Sequence, residues 1–289
     1  MKLKTFIKLL IPPLITKLFN HSPKKQTQPT YSSFQAALSS AGSYEEDVLI
    51  KVIVAKTIKF IADYEPRQII SFDNLSNSRT VRTLLAVISG INKNKNQINI
   101  LDFGGSAGVH YFTARQLLNS NIKLNWVIVE TKSMVDEAKA KGLENEELKF
   151  FKSIEEAKHF CKTYDVIYSN YALGYTPDPI EYLSQLLKLD FNILYITNIA
   201  LNEADEVVIG LQTSKLSTNG IGRKIPENLN IKDKIIKYPF VIPSKKSFEN
   251  LIKQSGLIIS VFKESTSTYY TDKGFFDNYG YFVKKISNS

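Results

Sequence analysis

The stretch NILDFGGSAGVHYFTARQLL, residues 99–118, places three glycines within five positions, between an apolar run and an amphipathic one. An apolar run that ends in glycines and resumes with helical periodicity reads as strand, tight turn and helix. In an open α/β sheet that turn lies at the carboxyl ends of the strands, where ligands bind. Glycine lets the backbone approach a ligand with no side chain between them. The first turn of the next helix offers unpaired N–H groups to an anion.

Working outward, residues 98–103, 124–130, 148–151, 164–170 and 191–198 are short apolar runs that read as strands. Amphipathic stretches at 109–119, 132–141, 154–162 and 178–189 separate them. Strands joined by helices of this length require right-handed crossovers and a parallel, doubly wound sheet, so the expected class is α/β and Rossmann-like. A loop-rich insertion is expected near 200–243, then a last helix at 244–257 and closing strands near 258–265 and 280–286, which add an antiparallel strand. Asp102 ends the first strand and Glu130 the second. An acid at the second strand's tip accepts hydrogen bonds from ribose hydroxyls.

Upstream, residues 31–96 read as a helical lead-in packed over the sheet. Val48, Val52, Ile53, Ala55 or Lys56, Lys59 and Phe60 form one stripe, and Val81, Leu84, Leu85 and Ile88 another. Residues 1–30 are a basic amphipathic segment and linker, with Leu3, Phe6, Ile7, Leu10 and Ile11 at helical spacing until Pro12 and Pro13. That segment is too short and too rich in lysine to span a bilayer. It reads either as a peripheral contact with an anionic membrane surface through residues 1–20 or as a helix docked on its own domain. The expected division is therefore 1–30, 31–96 and a ligand-binding domain at 97–289.

The 289 residues are 43% hydrophobic, enough for one large domain with a sizeable core. The single cysteine, Cys161, excludes a disulfide within the chain. No Cys or His pair has metal-ligand spacing, and the chain reads as cytoplasmic. The net charge of +9 invites a nucleic-acid reading, but six of those charges are lysines in the first 30 residues, leaving three for the other 259. Five of the 37 basic residues are arginine, the side chain that clamps phosphate and reads guanine, so nucleic acid ranks below a small or glycan-like partner.

Two cofactors compete for the corner. A nicotinamide site needs G-x-G-x-x-G, whereas this run is Gly104, Gly105, Ser106, Ala107, Gly108. The run, with the Asp102–Glu130 pair, resembles the D-x-G-x-G-x-G corner of class I S-adenosylmethionine-dependent methyltransferases, with Ser106 in place of the middle glycine. Together with FQAAL, YEEDVLIKV, WVIVE, ENEELKFFKSIEEA and YDVIYSNYALGYTPDPIEYL, the chain over roughly 31–285 is similar to a bacterial methyltransferase family of unassigned substrate, whose members often accompany surface-polysaccharide biosynthesis genes. The resemblance implies that Asp102, Gly104, Gly105, Ser106 and Gly108 hold the methionine part of S-adenosyl-L-methionine and Glu130 its ribose. Ser153 and Ile154 would flank the adenine, and Asn170 and Tyr171 would face the methyl-transfer site.

The fourth strand ends in SNYALGY, without the Pro-Pro-aromatic run of base amino-methylating enzymes, and Cys161 precedes the strand, away from the place of a cytosine-methylating nucleophile. Both base-methylating readings fall, and the resemblance leaves an oxygen acceptor on a glycan, sugar nucleotide or related small molecule as the expectation. Such an acceptor benefits from a general base, for which His110, Tyr171 and Tyr175 are candidates. Asp178, between two prolines, is an alternative base or a helix cap. The insertion, with Arg223, Lys224, Tyr238 and Phe240, is where acceptor selection is expected. The rival readings are a nicotinamide enzyme and an inactive scaffold of the same fold at the membrane surface.

Overall fold

A computed structural model describes residues 27–63, 78–91, 96–118 and 121–286. The amphipathic segment expected at residues 1–20 lies outside them. The lead-in forms α1 (Phe34–Ser40), α2 (Asp47–Ala62) and α3 (Ser78–Ile91). There follow β1 (Gln97–Phe103), α4 (Val109–Leu117), β2 (Lys123–Val129), α5 (Lys132–Ala140), β3 (Leu148–Phe151), α6 (Ile154–Phe160), β4 (Thr163–Asn170), α7 (Pro179–Leu187) and β5 (Asp190–Leu201). The chain closes with β6 (Val208–Lys215), β7 (Ile235–Ile242), α8 (Lys245–Ser255), β8 (Gly256–Thr271) and β9 (Gly274–Lys285).

Seven strands form one sheet in the order β3-β2-β1-β4-β5-β9-β8. β1 to β5 are parallel, and β9 enters antiparallel between β5 and β8. The order reverses beside β1, which places the glycine corner at the switch point where such sheets bind ligands. Alternation along the strands divides the core into two layers. Ile98, Ile100, Trp126, Ile128 and Val166 pack under α2 to α5, while Leu101, Phe103, Val127, Val129 and Ile167 pack against α6, α7 and α8. The fold class expected from the sequence is the one observed.

The helices start where local chemistry directs. Asp178 caps α7, its Oδ1 accepting from the N–H groups of Ile180 and Glu181 at 3.0 and 3.1 Å, with Pro179 in the first turn. Ser153 caps α6 by accepting from Glu156 N–H at 3.1 Å.

Three expectations need correction. The insertion is a structured antiparallel ribbon, β6 with β7, paired from Val208↔Ile242 to Lys215↔Ile235. Gly210 and Pro239 inside the runs, residues that weaken strands, concealed it. α2 does not bury one stripe: Leu49, Ile50, Val52, Ile53, Val54, Lys56 and Thr57 are all buried, because the helix lies between α5 and the turn that follows β6. The closing strands are longer than the apolar runs that signalled them, β8 reaching Thr271 and β9 beginning at Gly274.

The ribbon and the lead-in together roof the carboxyl ends of the strands. α1 packs on β6 and β7, and Tyr31 N–H donates to Ile209 O at 2.9 Å. Buried Lys56 secures the other side. Its Nζ donates to the carbonyls of Ser217 and Asn219 at 2.7 Å each and to Gly222 O at 3.4 Å. Burial lowers its pKa to about 8, with Asp233 opposing. No helix among the described residues is long and apolar enough to cross a membrane.

Candidate functional site

Gly104, Ser106 and Gly108 all have positive φ, at +73°, +54° and +85°. Alternating left-handed residues make the backbone fold back on itself and gather its N–H groups. Ser106 thus adopts the conformation a glycine would take. Its N–H donates to Glu130 Oε1 at 3.0 Å, while Thr131 N–H donates to Oε2 at 2.9 Å. Glu130 therefore sits one residue beyond β2, pinned between the glycine corner and the start of α5. Burial pushes its pKa up to about 7, the two backbone donors opposing the rise.

Asp102 lies beneath this corner, 1% exposed. Its Oδ2 accepts from Trp126 Nε1 at 3.3 Å and lies 3.1 Å from His110 Nδ1. Its Oδ1 is buried with no hydrogen-bond partner among the described residues. A buried acceptor left unpaired costs about 1–3 kcal/mol. Gly105 has a structural duty of its own: a Cβ there would lie 2.6 Å from the Asp102 carboxyl carbon.

A cavity of about 1350 Å³ opens over the strand ends. Of the residues singled out from the sequence, Gly104, Glu130, Ser153, Ile154, Asn170, Tyr171 and Tyr175 line it. Asp102, Gly105, Ser106 and Gly108 are not among the residues that line it. His110 does not line it; the ring is held against Asp102 and edge-on to Tyr168, with centroids 5.2 Å apart. Asn170 Oδ1 accepts from Asn198 Nδ2 at 2.9 Å, and both Tyr171 and Asn198 have positive φ, +55° and +56°. Left-handed side-chain-bearing residues store strain of about 1–3 kcal/mol, and here Tyr171 lines the cavity just after β4 while Asn198 lies within β5.

Beyond Tyr171 the cavity becomes aromatic. Tyr44 stacks on Tyr175 with centroids 6.1 Å apart and planes 11° apart. Tyr238 meets both edge-on, at 5.1 and 5.5 Å. Tyr175 and Tyr269 bring their hydroxyls to 3.3 Å. Burial raises the pKa of all four phenols, most strongly those of Tyr44, Tyr175 and Tyr269, so they are neutral hydrogen-bonding groups. Of the insertion residues singled out, Tyr238 lines the cavity, Phe240 packs on Tyr269 and Arg223 and Lys224 do not reach the lining. Sequence reasoning missed Tyr44, Tyr269, Gln35, Gln212 and Asn219, because no periodicity says which loops a sheet gathers at one end.

The topology and the corner define a Rossmann-like α/β protein with an antiparallel strand inserted at its closing edge. No protein-family model and no curated protein matches the chain. Among solved structures, it is similar to an S-adenosylmethionine-dependent methyltransferase from Clostridium acetobutylicum at 11% identity and TM-score 0.46, over 81% of this chain and 99% of that one. It is also similar to a class I methyltransferase structure from Listeria monocytogenes (13%, TM-score 0.45, 86% and 70%). A third likeness is magnesium protoporphyrin IX methyltransferase from Synechocystis with bound SAM (13%, TM-score 0.44, 83% and 98%). At such identities the likeness carries no substrate to this chain.

Proposed function

We propose that this chain is an S-adenosyl-L-methionine-dependent methyltransferase acting on an oxygen of a glycan, sugar nucleotide or related small molecule. The observation that carries the reading is the Glu130 carboxylate, held by Ser106 and Thr131 N–H groups at the wall of a cavity that Gly104 and Asn170 also line. A carboxylate so held presents its remaining lone pairs to a vicinal diol. The residues present fit the cofactor. Asp102 supports the methionine part from beneath the glycine corner, held by Trp126 and beside His110, and Gly104 lines the cavity through its backbone. Ser153 and Ile154 line the wall beyond Glu130, the place for the adenine.

When bound, S-adenosylmethionine supplies an electrophilic methyl carbon on a sulfonium. The protein's contribution is alignment and exclusion of competing water. Asn170 and Tyr171 close the cavity next to Gly104 and orient the acceptor oxygen. Tyr175, kept protonated by burial, positions that oxygen by hydrogen bonding and does not remove its proton. His110 is held against Asp102 and away from the cavity lining, so the proton of the acceptor hydroxyl passes to solvent water. Calorimetric titration with S-adenosylhomocysteine and with NAD is the direct test: binding of the first and not the second is expected, and the opposite result ends the proposal.

A further inference from the structure

We propose that the tyrosine-lined arm of the cavity takes one uncharged, hydroxyl-rich ring, a sugar presented as a glycoside and not as a nucleotide-activated sugar. This rests on the reading of the glycine-corner end as the nucleoside site. Three observations carry it.

The first is size. At about 1350 Å³ the cavity exceeds the roughly 300–1,000 Å³ of ordinary small-ligand sites, so it has room for a second molecule beside a nucleoside. The tyrosines form one cluster that adjoins the Glu130 site at Tyr44, whose hydroxyl the Glu130 charge reaches.

The second is the character of the arm. Tyr44 and Tyr175 present stacked rings, and Tyr238 stands edge-on to both. Tyrosine supplies a flat apolar face together with a polar tip. The C–H faces of a saturated sugar ring suit those faces, and its hydroxyls suit groups that both donate and accept. Gln35, Gln212 and Asn219, all lining the cavity, are such groups. Asn219 is fixed in place from several sides. Lys56 Nζ grips its carbonyl, its Nδ2 donates to Ser214 Oγ at 3.1 Å and Lys215 O at 2.8 Å, and Tyr238 OH donates to its Oδ1 at 3.4 Å.

The third is charge. Among the described residues that line the cavity, the only cationic side chains are Lys132 and Lys152. Both stand at the β2–β3 end, and both are paired with Asp136, each at 2.7 Å. The remaining charged lining residues are the carboxylates Glu45 and Glu130. Diphosphate recognition calls for arginine, lysine or a cluster of backbone N–H groups, and a diphosphate taken out of water without them is strongly disfavoured. Among the described residues the tyrosine cluster brings no cation to the lining, and Glu45, next to Tyr44, adds a carboxylate.

The test is saturation-transfer NMR and calorimetry on the full chain loaded with S-adenosylhomocysteine. The probes are methyl glycosides of glucose, galactose, mannose and N-acetylglucosamine, the matching UDP- and GDP-sugars, and 4-methylcatechol. At least one methyl glycoside is expected to bind, with its nucleotide-activated counterpart no tighter. Tyr238→Ala is expected to weaken that binding about tenfold, the worth of one aromatic contact. Gln212→Ala, a half-buried position on the same ribbon, provides the same check should Tyr238→Ala fail to fold. S-adenosylhomocysteine affinity is expected to stay within about twofold in Gln212→Ala and to fall less than the glycoside affinity in Tyr238→Ala, because Tyr238 touches Tyr44, which adjoins Glu130. Tighter binding of the nucleotide sugar, binding of the catechol alone, or no glycoside binding with S-adenosylhomocysteine in place overturns the proposal. Failure of S-adenosylhomocysteine itself to bind overturns instead the nucleoside reading on which it rests.

Discussion

Replacing Glu130 with glutamine probes the group that ties the corner, the second strand and the proposed ribose site together. The wild-type carboxylate accepts from Ser106 and Thr131 N–H groups, and its free lone pairs face the cavity. Hydrogen bonds to a charged acceptor contribute about 1.5–3 kcal/mol, and those to a neutral one about 0.5–1.5. Two ribose hydroxyls that exchange the first kind for the second lose about 2–3 kcal/mol together, or roughly 30- to 150-fold in affinity. That loss is expected only where Glu130 is ionised. Its pKa is pushed up to about 7 by burial, so the wild-type protein's affinity for S-adenosylhomocysteine is expected to fall about tenfold for each unit below that point. At about pH 8 the variant should be the weaker binder by the full factor, and near pH 5.5 the two should converge.

Isothermal titration calorimetry across this range, in two buffers of different ionisation enthalpy, checks both the affinity and the proton released on binding. The sign for folding is opposite. The unfolded carboxyl ionises near 4.5 and the folded one near 7, so this residue makes the protein less stable as pH rises between those values and contributes no further change above. Urea midpoints should show that slope in the wild type and its loss in Glu130→Gln. A flat wild-type binding profile, with the variant within twofold of it at high pH, would refute the role given to Glu130.

Gly105→Ala puts a methyl group 2.6 Å from the Asp102 carboxyl carbon; we expect a stability loss of about 1–3 kcal/mol and weaker S-adenosylhomocysteine binding, measured by denaturation and calorimetry. Unchanged binding would show that Asp102 has no part in the site. Asp178→Ala removes the α7 cap and should cost about 1 kcal/mol in urea unfolding without altering ligand affinity, as suits a structural residue. Lys56→Met deprives three carbonyls of a donor, and hydrogen exchange in residues 217–222 should quicken while β1 and β4 remain protected; equal exchange in both proteins would mean that the turn is held by other contacts.

Much of the parallel sheet was legible because each strand is short, apolar and bounded by an amphipathic run, and buried parallel strands require that pattern. The corner was legible for a related reason: glycines at 104 and 108 occupy left-handed positions, and Asp102 sits at the fixed end of β1. Asp178 could be read as a cap because capping is decided within three residues of chain. The β6–β7 ribbon escaped because its pairing partners lie up to 34 residues apart and Gly210 and Pro239 interrupt its local signal. For the same reason the lysine at 56 read as part of a stripe, when its ammonium in fact secures a turn more than 160 residues away.

By itself, then, the amino-acid order determined the α/β alternation, the bend at 104–108 and the acid that follows the second strand. These depend on backbone preference and hydrophobic period, which act over a few residues. Only the tertiary structure decided that Tyr44 from the lead-in, Tyr175 after β4, Tyr238 from the ribbon and Tyr269 from β8 line one cavity, and that His110 lies against Asp102 and outside that lining. Which distant segments meet is set by the packing of whole elements, and no local pattern encodes it.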